Sequence, residues 1–209
     1  MRWAVLWLLT AVPGLAGGGK AGEFDYFVLS LSWSPTWCAI EGDARQADQC
    51  DARHDHGWIL HGLWPQHHRG WPSYCPTPEA PPSRGMTREM EDIQASSGLA
   101  WHQWKKHGTC SGLSAQDYFA LSRRAYDAVQ RPDVFRRLET AVTLPAAVVE
   151  EAFLQANPGL EPDMITVTCR DGYIEEVRLC LSRDLQPVPC GADVIRDCRA
   201  TDARLDPIR

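Results

Sequence analysis

Eight cysteines, at positions 38, 50, 75, 110, 169, 180, 190 and 198, constrain this chain more than any other feature. None stands in a Cys-x-x-Cys pair, which weakens a zinc-ribbon reading. The N-terminus points to another use for the thiols. Arg2 supplies a positive start, Trp3 to Val12 is mostly apolar, Pro13 breaks the run, and Gly14-Leu15-Ala16 offers small residues for cleavage. Residues 1–16 therefore read as a secretory signal peptide, with a boundary that can extend to 21. The apolar run is well short of the roughly 20 residues that a membrane span needs. Export leads to an oxidising compartment, so the expectation is four disulfides.

Eight cysteines can pair in roughly a hundred ways. Asp171-Gly172 prunes that number, being a strong hairpin turn between strand-like runs at Met164 to Cys169 and Tyr173 to Leu181. A two-residue loop sets Cys169 opposite Ile174 and leaves Cys180 on the order of 20 Å further along. A disulfide needs its Cα atoms within about 7 Å. Cys169–Cys180 is thereby disfavoured, and the nested pairs Cys169–Cys198 and Cys180–Cys190 fit better.

With 209 residues, 44% of them hydrophobic, the chain suits one sizeable core, and residues 17–209 are expected to form a single domain. Phe24 to Trp33 and Gly57 to Leu63 read as strands, Met86 to Ile93 and Gly98 to His107 as helices. Ser114 to Gln130 is a clearer helix, with Ser114 as its cap. Pro145 suits the first position of a helix over Ala146 to Leu154. The predicted fold class is α+β: a mainly antiparallel β-sheet with packed helices, stapled by disulfides.

All seven histidines fall between positions 54 and 107. The core has no need of histidine, so the clustering asks for a chemical explanation. Residues 51–110 carry six Lys and Arg against six Asp and Glu. Near pH 5 the protonated imidazoles would bring that stretch towards about +7. A polyanion would be attracted there even though the whole chain carries −6. Strong sequence-independent binding of nucleic acid at neutral pH is not expected.

Two segments carry most of the chemistry: Trp58-Ile-Leu-His61-Gly-Leu-Trp64-Pro65 and Trp101-His-Gln-Trp-Lys-Lys-His107-Gly-Thr-Cys110. His61 falls at the end of an apolar strand, just before Gly62. On a helix, His102, Gln103, Lys106 and His107 share one face. Two imidazoles with an ammonium suit cleavage of a phosphodiester that has a neighbouring hydroxyl. One takes a proton, the other protonates the leaving oxygen, and the cation stabilises charge on phosphorus. Trp58, Trp101 and Trp104 are read as core, and Lys105 as facing solvent.

The HGLWP of residues 61–65 and the KHGTC of residues 106–110 resemble the two signature segments of the ribonuclease T2 family. The FVLSLSWSPTWC entry strand and the late LCLS strand agree, and the resemblance runs from about Phe24 to Cys198. It implies a metal-independent endoribonuclease without a cofactor, acting on single-stranded RNA and leaving 2′,3′-cyclic phosphates, then 3′-phosphates. His107 resembles the general base and His61 the general acid. Lys106 matches a lysine that stabilises the phosphorane, and His102 a histidine that binds phosphate. Trp64 matches an aromatic that stacks on a base, with Trp71 and Tyr74 as weaker stacking candidates. The family pattern also implies Cys38–Cys50 and Cys75–Cys110 and agrees with the nested late pairs.

The chain departs from the pattern at Gln103, where the family usually has glutamate, and at Gln66, where many relatives are acidic. An amide can still donate a hydrogen bond to a phosphoryl oxygen, so the expectation is an active enzyme with altered rate or pH dependence. The product is expected to be a secreted or periplasmic monomer that acts on neither DNA nor membranes. Two rivals stand beside this reading: a catalytically attenuated relative that binds RNA or a partner, and a histidine-rich metal-binding exported protein.

Overall fold

The computed structural model describes residues 19–209; the segment read as a signal peptide, residues 1–16, lies outside them. In chain order the sequence lays down β1 (Tyr26–Trp33), α1 (Ser34–Trp37), β2 (Trp58–Gln66), α2 (Arg84–Arg88), α3 (Glu91–Gln94), α4 (Ser97–Lys106), α5 (Ala115–Ala128), β3 (Val142–Leu144), α6 (Ala146–Ala156), β4 (Ile165–Arg170), β5 (Tyr173–Leu181) and β6 (Ala203–Leu205). The strands form one sheet in the order β2-β1-β5-β6-β3, with β4 also paired to β5. Every ladder is antiparallel except a single parallel bridge between β5 and β6. The fold is α+β, as the sequence predicts.

One sheet face carries the apolar residues of alternate strand positions, among them Leu29, Leu31, Leu60, Val177 and Leu179, all essentially buried. Helices close over them. Trp33 packs on Trp58 at 5.0 Å between ring centroids, and Trp58 meets Phe153 of α6 edge-on at 5.4 Å. Tyr118 of α5 is fully enclosed and donates to the Leu63 carbonyl at 2.8 Å. Burying several large aromatics at roughly 1.5–3 kcal/mol each anchors the helices to this face; the other face carries a smaller apolar cluster of Tyr26, Val28, Cys180 and Val194.

The β4–β5 hairpin turns through Asp171 and Gly172, both at positive φ (51° and 82°), as a type I′ turn requires. Cys169 faces Ile174, and the bridges are Cys169–Cys198 and Cys180–Cys190, together with Cys38–Cys50 and Cys75–Cys110. Ser114 caps α5 by accepting from the Asp117 N–H at 3.1 Å. Pro145 sits at the N-cap of α6, one position earlier than expected.

Four local expectations need correction. Met86 to Ile93 is two short helices, because the Glu89 carbonyl accepts from Arg123 Nη2 at 2.7 Å and α3 begins anew at Glu91. The strand expected to end at Leu63 runs on to Gln66, held by continuous pairing with β1. The helix expected to include His107 stops at Lys106, with His107 as its C-cap. Trp101, expected in the core, is exposed, because α4 turns Ala100 and Trp104 inward.

Candidate active site

A break in strand regularity places His61. Leu31 pairs with Leu60 and Ser30 with Gly62, so His61 is the extra residue of a β-bulge in the middle of β2, not the last residue of a strand. A bulge re-aims a side chain and changes the alternation that follows it. Leu60 and Leu63 both reach the core, three apart, while His61 and Trp64 are partly exposed. A second bulge lies across the sheet, where Thr168 pairs with Glu176 and Cys169 with Ile174, leaving Glu175 over. Glu176 then stands where Nδ1 of His61 donates a hydrogen bond to its Oε1.

Glu176 is only 4% exposed, yet it is fully partnered. Its Oε2 accepts from Arg178 Nε at 2.8 Å and Nη2 at 2.5 Å. Burial alone would raise its carboxyl, but the His61 hydrogen bond, with the charges of His61 and Arg178, brings it down to about 2.

α4 packs against β2 and delivers the second half of the site. Gln103, 2% exposed, accepts a hydrogen bond from Trp64 Nε1 at 2.8 Å. Gly62 permits this approach: a Cβ there would lie 2.2 Å from Gln103 Oε1 and 2.3 Å from Trp64 Nε1. His107 caps the helix, its N–H donating to the Gln103 carbonyl at 2.9 Å. The Cys75–Cys110 bridge and the Tyr74 N–H, which donates to the Lys106 carbonyl at 2.9 Å, tie the Pro-rich loop to the same corner.

The Trp64 indole stands between the two histidines. It stacks on His107 at 5.2 Å and 23°, and meets His61 edge to face at 5.2 Å and 82°. Arg178 lies 5.4 Å from the same ring. His107 is 5% exposed, and its Nδ1 is buried without a hydrogen-bond partner. Burial, and then the charges of Lys106, His61 and His102, push its pKa down to about 2, so the ring is neutral over the working range. His102 is exposed at the rim; slight burial and the charges of Lys106, Lys105 and His61 lower its pKa.

Two clefts flank this cluster. One, about 260 Å³, is lined by Val28, Trp64, Gln66, Trp71, Lys106 and His107. The other, about 330 Å³, has His61 and Glu176 on its wall with Ser32, Trp37, Ile59 and Leu99. The structure thus gathers His61, Trp64, Gln103, Lys106 and His107, and leaves His102 at the margin. Trp71 and Tyr74 are both exposed, with Trp71 on the wall of the first cleft. Among the described residues, no three His, Cys, Asp or Glu side chains are gathered as a metal ion would need.

Sequence reasoning missed Glu176 and Arg178. Their signal was a Glu-x-Arg pair inside a strand that is otherwise apolar at Val177, Leu179 and Leu181. A neutral imidazole beside an ammonium, and a second imidazole backed by a carboxylate, form an arrangement able to take a proton at one ring and give one at the other.

The model of the Ribonuclease T2 family matches residues 24–190. A ribonuclease of Aeromonas hydrophila is 37% identical over 182 residues, which span 85% of this chain and 80% of that protein. Among solved structures, the RNase-related protein from Calystegia sepium superposes with a TM-score of 0.63 at 20% identity, covering 88% of this chain and 97% of that one. RNase NT, solved in complex with 5′-AMP, superposes with a TM-score of 0.61 at 19% identity over 88% and 98% of the two chains.

Proposed function

Since the chain belongs to the ribonuclease T2 family, we propose that it is a secreted or periplasmic endoribonuclease that cuts single-stranded RNA with His107 as general base and His61 as general acid. The observation that carries this reading is the placement of the two imidazoles on either side of Trp64, each opening on its own cleft. His107 takes the proton of the ribose 2′-hydroxyl as that oxygen bonds to phosphorus. His61 gives its Nε2 proton to the 5′-oxygen as the P–O5′ bond breaks and its electron pair goes to that oxygen. Lys106, on the His107 side, offsets the charge that accumulates on the phosphoryl oxygens.

The product is a 2′,3′-cyclic phosphate, which water opens to a 3′-phosphate with the two histidines in exchanged roles. The nucleophile belongs to the substrate, so DNA, which lacks the 2′-hydroxyl, is not cut. No step calls for a metal ion. His102 at the rim meets incoming phosphate, and Trp64 offers a π-surface to a base at the mouth of the first cleft. Gln103 keeps the indole in place through its carbonyl oxygen. Four disulfides support a life outside the reducing cytosol, in keeping with the N-terminal segment read as an export signal.

The test is incubation of the oxidised protein with single-stranded RNA and DNA in EDTA at pH 5 and pH 7.5, followed by mass spectrometry of the ends. RNA-only cleavage with 2′,3′-cyclic ends supports the reading. RNA left intact under every condition replaces it with the attenuated binding relative and makes Gln103 the first residue to revert.

A further inference from the structure

Buried carboxylates are expensive. Removing one from water costs several kcal/mol, and an apolar residue of similar size usually serves the fold as well. Glu176 is nonetheless placed on β5, between β1 and β4, with Ser32 and Thr168 as its cross-strand partners. The bulge at His61 turns its ring towards the Glu176 carboxylate, which stands across β1 in regular register with Ser32. Neighbouring Val177 and Leu179 show what the strand uses where only packing is asked.

We propose that Glu176, braced by Arg178, is the positioning residue of the acid step: it fixes the His61 ring and keeps the proton on Nδ1, so that Nε2 is the nitrogen presented to the leaving oxygen. This rests on the reading of His61 as the general acid. A carboxylate can only accept, so the His61–Glu176 contact requires a hydrogen on Nδ1. In water an imidazole exchanges between two tautomers and turns about χ2. Here one nitrogen is committed to a side chain whose other oxygen is itself held by two guanidinium N–H groups. The edge of the ring lies against Trp64, which limits rotation from the other side. When the proton leaves Nε2 for the 5′-oxygen, the neutral ring is already the tautomer that can accept a proton from water in the second step.

Arg178 has a separate part. Left unpaired, Glu176 would set an anion beside the path of a polyanionic substrate. Arg178 offsets that charge from 32% side-chain exposure, at the wall of the first cleft.

The experiment uses the full oxidised enzyme labelled with ¹⁵N-histidine, the His61 signals being assigned with His61→Asn. The parent is expected to show neutral His61 as the Nδ1–H form, a readout that does not depend on RNA cleavage. Glu176→Gln is expected to give a mixture of tautomers. On a dinucleoside monophosphate it should lower kcat on the order of 100-fold, the scale of a lost general-acid contribution, with KM little changed. Glu176→Asp should recover part of the loss. A parent ring in the Nε2–H form overturns the proposal even if Glu176→Gln fails to fold. So does a Glu176→Gln enzyme with unchanged tautomer or unchanged kcat. A parent that shows the Nδ1–H form yet cuts no RNA leaves the positioning intact and refutes the proposed function instead.

Discussion

Replacing His107 with Gln should remove a specific share of the acid sensitivity of the fold. Buried to 5% exposure, the ring takes its proton at about 2 in the folded state, against 6.5 for a free imidazole. Between those values the unfolded chain holds a proton that the folded chain refuses. The His107 contribution is therefore complete above pH 6.5 and is lost as the pH falls below it. Each pH unit corresponds to about 1.4 kcal/mol, so the loss at about pH 4.5 is on the order of 3 kcal/mol. Glu176 acts in a lower window, from its ordinary 4.5 down to about 2, and is common to both proteins. Urea unfolding at pH 7.5 and pH 4.5 gives the measurement. The parent should lose about 2–3 kcal/mol more between the two conditions than His107→Gln. Equal losses would refute the claim that burial holds this ring neutral. With His107 as the proposed base, the same burial keeps it unprotonated in acid, so the rate should not fall tenfold per unit as the pH drops below 6.5.

Three further outcomes follow from contacts. Gly62→Ala would push Gln103 and Trp64 apart, because the added carbon falls 2.2–2.3 Å from their polar atoms; kcat should drop on the order of 100-fold, as 1 Å misplacements do, while thermal unfolding shows a loss of only about 1–3 kcal/mol. Cys75→Ala with Cys110→Ala opens a 35-residue loop, which should lower the unfolding free energy in urea by about 4 kcal/mol and weaken the hold on Lys106 and His107. Gln103→Glu keeps the acceptor for Trp64, so kcat/KM should change by less than about tenfold; a gain of several orders of magnitude would show that the amide is a defect.

The hairpin was legible because Asp-Gly fixes both turn type and register, and the register decides which cysteines can meet. The α5 cap was equally local: Ser114 is three residues from the N–H it accepts. The short strands β3 and β6 alternate over only three residues each, too few to stand out in the sequence, and are held by pairing with each other. In the site, His61, Lys106 and His107 stood out through residue type and spacing. The bulge at His61 did not, because a regular strand reading gives no cue that one residue is left over until β1 is laid beside it. Glu176 was hidden for the same reason. It is 115 positions from His61, and nothing local to β5 says that the two strands flank β1. Trp101 shows the opposite failure, since a large aromatic in an otherwise apolar helix turn invites burial that one step of helix rotation denies.

The assignment of acid to His61 and base to His107 is tested most directly with a dinucleoside monophosphate whose bridging 5′-oxygen is replaced by sulfur. A thiolate leaves without needing a proton. On this substrate His61→Ala should cleave at nearly the parent rate, although on the oxygen substrate it is slowed on the order of 10²–10⁴-fold; His107→Ala should stay slow on both. Rescue of His107→Ala in place of His61→Ala, or equal impairment of the two on the sulfur substrate, would contradict the account.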